Sequence, residues 1–290
     1  NIPLDDKKTF ELLADGKMTG VFQLESRVAQ STSRSLKTNT FEDIVALVAL
    51  IRPGPLGAGM HNEFTDRATG RKDIEYLHKD LEEILSETYG VILYQEQVMQ
   101  IAQKISGFEL EEADELRKAM GKKIPKVMEK QREKFTIGAT KNGYSEQFAI
   151  ELFDQIAYFA GYGFNKSHSV PYALLAYQTA YLKANYPAEY IAACLTAVKR
   201  DKDRTAIFLS EARDLGVKVS TPDINESLED FSVSNNEIVF GISAIRNVGD
   251  ITAEKIINER RNGPFETIEE FLSRIDSRSL NKRGIEAMVQ

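Results

Sequence analysis

The 290-residue chain carries 37 Lys and Arg against 44 Asp and Glu, a formal net charge of −7, and 42% hydrophobic residues. That length holds two domains or one large one, and no segment has the length and apolarity of a membrane span. A single cysteine, Cys194 in an apolar helical pattern, and three scattered histidines argue against a disulfide framework or a zinc site and for a reducing cytoplasm. The acidic balance speaks against a general nucleic-acid binder, but screening leaves that question to local patches. The start at Asn1-Ile2-Pro3, without an initiator Met or a signal-like apolar core, reads as an internal segment of a larger protein without targeting information.

Residues 1–38 are polar and mixed around one apolar run, Val21-Phe22-Gln23-Leu24. Thr40 followed by Glu42 and Asp43 has the grammar of a helix start. Ile44 to Ile51 is apolar all round, so that helix is expected to be buried on every side. Arg52-Pro53-Gly54-Pro55 ends it, because each proline disfavours helix in the residue before it. Arg52 then emerges from a core element, where its guanidinium either meets a phosphate or caps helix carbonyls. Tyr89 to Tyr94 reads as a short buried strand or a helix lead-in, and Gln95 to Ser106 and Leu110 to Met120 as helices by apolar spacing.

Charge along the second of these helices is strongly asymmetric. Acids crowd its start, while Arg117, Lys118, Lys122, Lys123, Lys126, Lys130, Arg132 and Lys134 face only Glu129 and Glu133. This is more than helix capping needs, and Arg117 to Lys123 reads as a phosphate-facing patch, the bland reading being a solvated basic face. Helices are expected over 127–141 and 145–159. Between the latter and a helix from about Pro171 to Tyr186 lies Gly161-Tyr162-Gly163-Phe164-Asn165-Lys166-Ser167-His168-Ser169. Its glycines permit positive φ, and its polar residues offer many donors beside one fixed positive charge. With Pro171 in a first helical turn and Ser169 at or beside the N-cap, free amides would complete an anion cradle. The competing reading is a capped helix start with solvated side chains. Tyr172 and Tyr177 are able to stack on a base, though both read first as core residues.

After a helix over 188–198, the charged run Arg200-Asp201-Lys202-Asp203-Arg204 marks a domain boundary, giving domains over 1–198 and 199–290. Asp201-x-Asp203 lacks the flanking strand pattern of a metal site. Phe231-x-Val233 and Ile238-x-Phe240 alternate about Asn235-Asn236 as a β-hairpin. Ile242 and Ile245, a tight Asn247-Val248-Gly249 turn, and Ala253, Ile256 and Ile257 beyond it are similar to a helix-hairpin-helix motif, whose turn amides hold a DNA phosphate without reading sequence. Asn247 stands where that motif usually has glycine, which Asn tolerates in the left-handed region, and Asp250 is an unfavourable neighbour for a phosphate. Thr267 to Glu270 has the form of a capping box, and Leu280 to Ile285 opens a further helical unit.

Several segments resemble the α subunit of bacterial replicative DNA polymerase III, of the C family: Val21 to Ser26, Arg52 to Leu56, Glu87 to Ala102, Ala119 to Lys123 and, most specifically, Phe159 to Ser169 with Tyr172-Ala173-Leu174. The resemblance implies a mainly α fold, with a multi-helical fingers domain followed by a small α+β region holding the β-hairpin and the helix-hairpin-helix motif. It implies a DNA-directed DNA polymerase as the full-length protein. Arg117, Lys118, Lys122 and Lys123 would face the triphosphate of the incoming dNTP, and Asn165, Lys166, His168 and Tyr172 the nascent base pair and sugar. Arg52, Asn247, Val248, Gly249, Ile251, Lys282 and Arg283 would contact primer-template DNA. The Mg2+ ligands are palm aspartates outside this chain, so the chain itself holds no metal and is expected to be inactive alone. The sliding clamp and other replisome subunits would bind through other regions, in the cytoplasm and without a membrane. Lys118 stands where the family commonly has arginine, Pro171 where it has a small residue, and residues 30–39 fit poorly. Two other classes stay open: a non-enzymatic helix-hairpin-helix DNA-binding module, and a helical scaffold for polymerase partners.

Overall fold

The computed structural model describes residues 2–122, 125–160, 163–275 and 280–289. It divides into two compact units, 1–180 and 181–290. The first contains α1 (Lys7–Ala14), α2 (Arg27–Leu36), α3 (Phe41–Leu50), α4 (Pro53–Gly57), α5 (Met60–Ala68), α6 (Glu82–Leu85), α7 (Gln95–Ser106), α8 (Leu110–Lys122), α9 (Pro125–Lys141), α10 (Glu146–Ala160) and most of α11 (Lys166–Asn185). The second holds the end of α11, then α12 (Pro187–Val198), α13 (Lys202–Asp214), β1 (Val219–Ser220), β2 (Ser232–Ser234), β3 (Glu237–Val239), α14 (Asp250–Glu259), α15 (Ile268–Arg274) and α16 (Lys282–Val289). Helices dominate, as the composition and periodicity lead one to expect. Among the described residues no helix is long and apolar enough to cross a membrane.

Local chemistry explains most of the boundaries in the first unit. Thr40 and Asp43 form a reciprocal capping box at α3, each side chain accepting the other's amide at 3.1 Å. Every residue from Asp43 to Leu50 is buried, so the all-round apolar pattern does mark a helix enclosed on all sides. α3 ends before Arg52-Pro53, and Gly107 closes α7 in the left-handed conformation at φ 66°. Helices α7 to α10 share one core in which Val98, Ile101 and Ile105 meet Leu116, Phe135, Leu152, Phe153 and Ile156. Residues 1–38, which showed little pattern, contain α1 and α2; their caps are Asp6 and Ser26, each accepting an amide three residues on. Val91 to Tyr94 is buried but forms no strand beyond one parallel bridge, Tyr94 to Phe164.

In the second unit α12 and α13 pack through Ile191, Leu195 and Phe208 against Phe231, just before β2, and Ile238 of β3, in a three-stranded sheet of order β1-β3-β2. β2 and β3 are antiparallel, Val233 facing Ile238, and Asn235 and Asn236 both take positive φ (51° and 63°), the backbone a two-residue hairpin needs. The parallel partner β1 escaped the sequence reading because two residues carry no periodicity. A separate small core of Ile242, Val248, Ala253, Ile256, Phe265, Phe271 and Leu280 joins α14, α15 and α16.

Gly138 in α9 lies hard against the end of α7, since a Cβ there would collide with the backbone carbonyl of Ser106. Gly→Ala inside a helix ordinarily stabilises by about 0.5–1 kcal/mol. Here the sign should reverse: Gly138→Ala is expected to lower the melting temperature, and an unchanged or raised value would contradict the packing.

Candidate nucleic-acid interface

The loop that the sequence singled out is pinned by the start of α7. Phe164 donates its amide to Leu93 O at 3.0 Å and its carbonyl accepts the Gln95 amide at 2.9 Å. Gln95 adds a side-chain bond, Nε2 to Gly163 O at 3.1 Å. One residue further, the carboxylate of Glu96 accepts the amides of Lys166 (2.9 and 3.0 Å) and Ser167 (3.4 Å), while Asn165 Oδ1 accepts that of His168 at 2.8 Å. These bonds start α11 at Lys166, five residues before the expected start near Pro171. Pro171 is therefore inside the helix, where it removes the bond that the Ser167 carbonyl would accept. Ser169 is no cap. It is fully buried and donates its hydroxyl to Val45 O of α3 at 2.6 Å. The amides that a start near Ser169 would have left free lie inside α11, and the first two amides of the helix as it stands are held by Glu96.

Side chains around this helix head form a graded surface. Lys166 Nζ lies 2.5 Å from Glu87 Oε2 and 5.4 Å from the Tyr94 ring centre. Burial, then the nearby Glu87 and Glu96 carboxylates, push the Tyr94 hydroxyl well above its ordinary pKa, so it stays a neutral phenol. Phe164, His168 and Tyr172 recur every four residues on one face, with ring centres 5.5 and 4.4 Å apart, and Phe22 continues the row at 5.6 Å from Tyr172. Arg52 lies over the Phe164 ring at 4.0 Å, and its Nε is buried with no hydrogen-bond partner among the described residues. It is not spent on helix carbonyls. Tyr177 lies apart from this surface: it is fully buried and its oxygen accepts the Asp6 amide.

The basic patch at the end of α8 is reined in by one acid. Asp114 accepts from Arg117 Nε at 2.8 Å and from Lys118 Nζ at 2.6 Å, contacts with Lys118 first and Arg117 second that hold its carboxyl below the usual range. Arg117 also reaches Gln95 Oε1 at 3.4 Å, which links the patch to the loop through one side chain. Lys134 and Arg132 of α9 pair with Glu112 and Asp154 of the neighbouring helices. Arg117, Lys118, Arg52, Asn165, Lys166, His168 and Tyr172 are thus described within one unit; Lys123, the Lys122 side chain, Gly161 and Tyr162 lie outside the described residues.

In the second unit Asn247 takes φ 64°, as its place in the turn requires, and Val248 is buried beneath it. Asn247 and Gly249 are exposed, Gly249 caps α14 without a side-chain bond, and Ile251 is 72% exposed. The arm before the turn is a single 3₁₀ turn, Ile242–Ala244. α16 begins at the same place: Asn281 Oδ1 accepts the Gly284 amide, and a Cβ on Gly284 would stand 3.2 Å from Asn247 O. Lys282 and Arg283 are exposed at that start. Asp201 caps α13 through the amides of Asp203 and Arg204, which accounts for the Asp-x-Asp pair. Among the described residues no three His, Cys, Asp or Glu side chains gather in a way that could hold a metal ion.

A family model described as the bacterial DNA polymerase III alpha subunit finger domain matches residues 1–143, and a helix-hairpin-helix motif model matches residues 216–290. DNA polymerase III subunit alpha of Vibrio cholerae is 50% identical over 295 residues, covering 99% of this chain and 26% of that protein. The corresponding proteins of Escherichia coli K12 and Thermus aquaticus are each 48% identical, over 99% and 100% of this chain and 25% and 24% of theirs. The chain belongs to the bacterial DNA polymerase III α-subunit family. It spans about a quarter of the length of these relatives and corresponds to their fingers and helix-hairpin-helix segments.

Sequence reasoning passed over the residues that organise this part of the α-subunit family fold: Gln95, Glu96, Gln97, Glu87 and Asp114. Gln97 is the most constrained. It is 1% exposed, its Oε1 accepts the Leu93 and Tyr94 amides at 2.9 Å, and its Nε2 donates to Ile84 O and Thr88 Oγ1. Gln97→Leu keeps the volume and strands the Leu93 and Tyr94 amides, at about 1–3 kcal/mol for each group left unsatisfied. Urea unfolding of the variant should show a loss of at least about 2 kcal/mol in the unit formed by residues 1–180. A loss below about 0.5 kcal/mol would show that water serves these groups equally well.

Proposed function

We propose that within the longer polymerase the first unit binds the triphosphate and sugar-base moiety of the incoming dNTP, and that the second binds primer-template DNA. The observation carrying this is the head of α11, where Phe164, His168 and Tyr172 present a row of rings with Arg52 stacked on Phe164 and Lys166 in the first turn, and Gln95 ties that row to Arg117. Cations around an aromatic row suit a nucleotide, whose phosphates and base need both. Arg117 and Lys118, with Lys122 and Lys123, would take the triphosphate; Asn165, Lys166, His168 and Tyr172 would line the base pair and sugar. Arg52 would take a phosphate of the primer-template, stacked on Phe164 with its Nε unspent.

The acids now holding Lys166, Arg117 and Lys118 are part-exposed partners, and such pairs are worth at most about 1 kcal/mol. A phosphate can therefore replace them at little cost. Positioning and charge neutralisation of this kind supply most of phosphoryl-transfer catalysis. Among the described residues no cluster of side chains could hold Mg2+; we assign its ligands to the rest of the longer protein, along with contacts to the sliding clamp and other replisome subunits. The residues of 1–198 serve as fingers and those of 199–290 as the DNA-binding region, acting in the cytoplasm.

The 290-residue chain alone should incorporate no nucleotide into a primer supplied with Mg2+ and dNTPs; incorporation by a homogeneous sample would relocate the active site. In the full-length polymerase, Lys166→Ala should lower kcat/KM for dNTP by about ten- to two-hundredfold, the equivalent of one charge-assisted hydrogen bond of about 1.5–3 kcal/mol, and leave primer-template affinity nearly unchanged. A change of less than about threefold would leave Lys166 as the structural partner of Glu87.

A further inference from the structure

Asp250, the first residue of α14, stands where a phosphate held by the turn would meet a negative charge. Both of its carboxylate oxygens are engaged: Oδ1 by Lys199 Nζ at 2.9 Å and Oδ2 by Arg200 Nη2 at 2.6 Å. The two cations, one at the end of α12 and one just beyond it, differ in what they have left to give. Lys199 is 15% exposed and also donates to Asp230 Oδ1 at 2.6 Å and Ser243 Oγ at 2.9 Å, so its three N–H bonds are spent on three acceptors. Arg200 is 80% exposed, and a guanidinium carries five N–H donors in a planar fork. One edge of such a fork can hold a carboxylate while the other faces a phosphate. The contacts with Lys199, and then the charges of Lys199 and Arg200, hold the Asp250 carboxyl below its usual range, so it remains a fixed anion for Arg200 at neutral pH.

We infer that Arg200 is a phosphate-contacting residue of the duplex-binding turn, and that Asp250 is a positioning residue that aims it there. Asp250 acts on DNA through Arg200, and its own repulsion is offset by the two cations it binds. Lys199 fixes the network from below by joining the end of α12 to Asp230, to Ser243 beside the turn, and to Asp250 itself. The exposed Asn247 and Gly249, with the uncapped start of the ten-residue α14, supply the amides beside Arg200. This inference rests on the reading that the turn binds DNA.

The test is the affinity of the 290-residue chain for a short labelled duplex, followed by fluorescence anisotropy against salt concentration. Arg200→Ala should weaken binding about three- to tenfold and lower the slope of log affinity against log salt by about one, as for one lost phosphate contact. Asp250→Asn separates the two roles. If Asp250 only repelled DNA, this substitution would tighten binding; as the anchor of Arg200 it should leave affinity unchanged or weaker, and should tighten binding only when Arg200→Ala is already present. Gly249→Asp serves as the control on the turn, because a Cβ at Gly249 meets open space and its φ is −90°. Tightening by Asp250→Asn in the otherwise native chain, or an unchanged slope for Arg200→Ala where Gly249→Asp weakens binding, would overturn the inference and leave the turn's role intact. If Gly249→Asp and Arg200→Ala both leave binding unchanged, the turn does not bind DNA and the inference falls with it. Thermal denaturation of each variant separates lost binding from lost fold.

Discussion

The candidate site in the first unit depends on a carboxylate shared by two helix starts. Glu96 is the second residue of α7, where its charge favours that helix's own dipole. The same carboxylate accepts the first two amides of α11, 70 and 71 residues further along the chain. One side chain thereby satisfies donors that no intrahelical carbonyl can reach, and it sets where α11 begins. Gln95 and Gln97 on either side complete the joint. Gln95 holds Gly163 and receives Arg117; Gln97 holds the Leu93 and Tyr94 amides from inside the core. Three consecutive residues therefore hold the loop, the aromatic row and the basic patch in register.

A second regularity is that several cations among the described residues rest on acids. Lys166 rests on Glu87, Arg117 and Lys118 share Asp114, and Lys199 and Arg200 share Asp250. The net charge of −7 conceals this arrangement, because the acids stand beside the bases that a polyanion would need. The part-exposed pairs of Lys166, Arg117 and Lys118 cost little to exchange. Arg52 is held differently: it lies on an aromatic face, and its Nε has no partner among the described residues.

What was legible in the sequence is local. The Thr40 cap, the enclosed helix α3, the Asn235-Asn236 hairpin and the left-handed Asn247 each follow from residues within a few positions of one another. The family too was legible, because its motifs are contiguous. What was illegible is held by partners distant in sequence. Pro171 looked like a helix start since nothing nearby signals that Glu96 caps a helix five residues earlier. Ser169 looked like a cap since its acceptor, the Val45 carbonyl, is 124 residues away. Lys166 looked free because Glu87 lies 79 residues upstream. The two cations on Asp250 were illegible for the same reason, since Lys199 and Arg200 are about fifty residues away.

The shared carboxylate is open to a direct measurement. Amide hydrogen exchange resolved by residue, in the native chain and in Glu96→Ala, reads the joint itself. The Lys166 amide has Glu96 as its acceptor, so it should lose protection by about tenfold or more, together with Ser167, while amides within α8 keep theirs. If Lys166 and Ser167 exchange at the same rate in both proteins, Glu96 does not hold the head of α11, and the organisation of the site must be sought elsewhere.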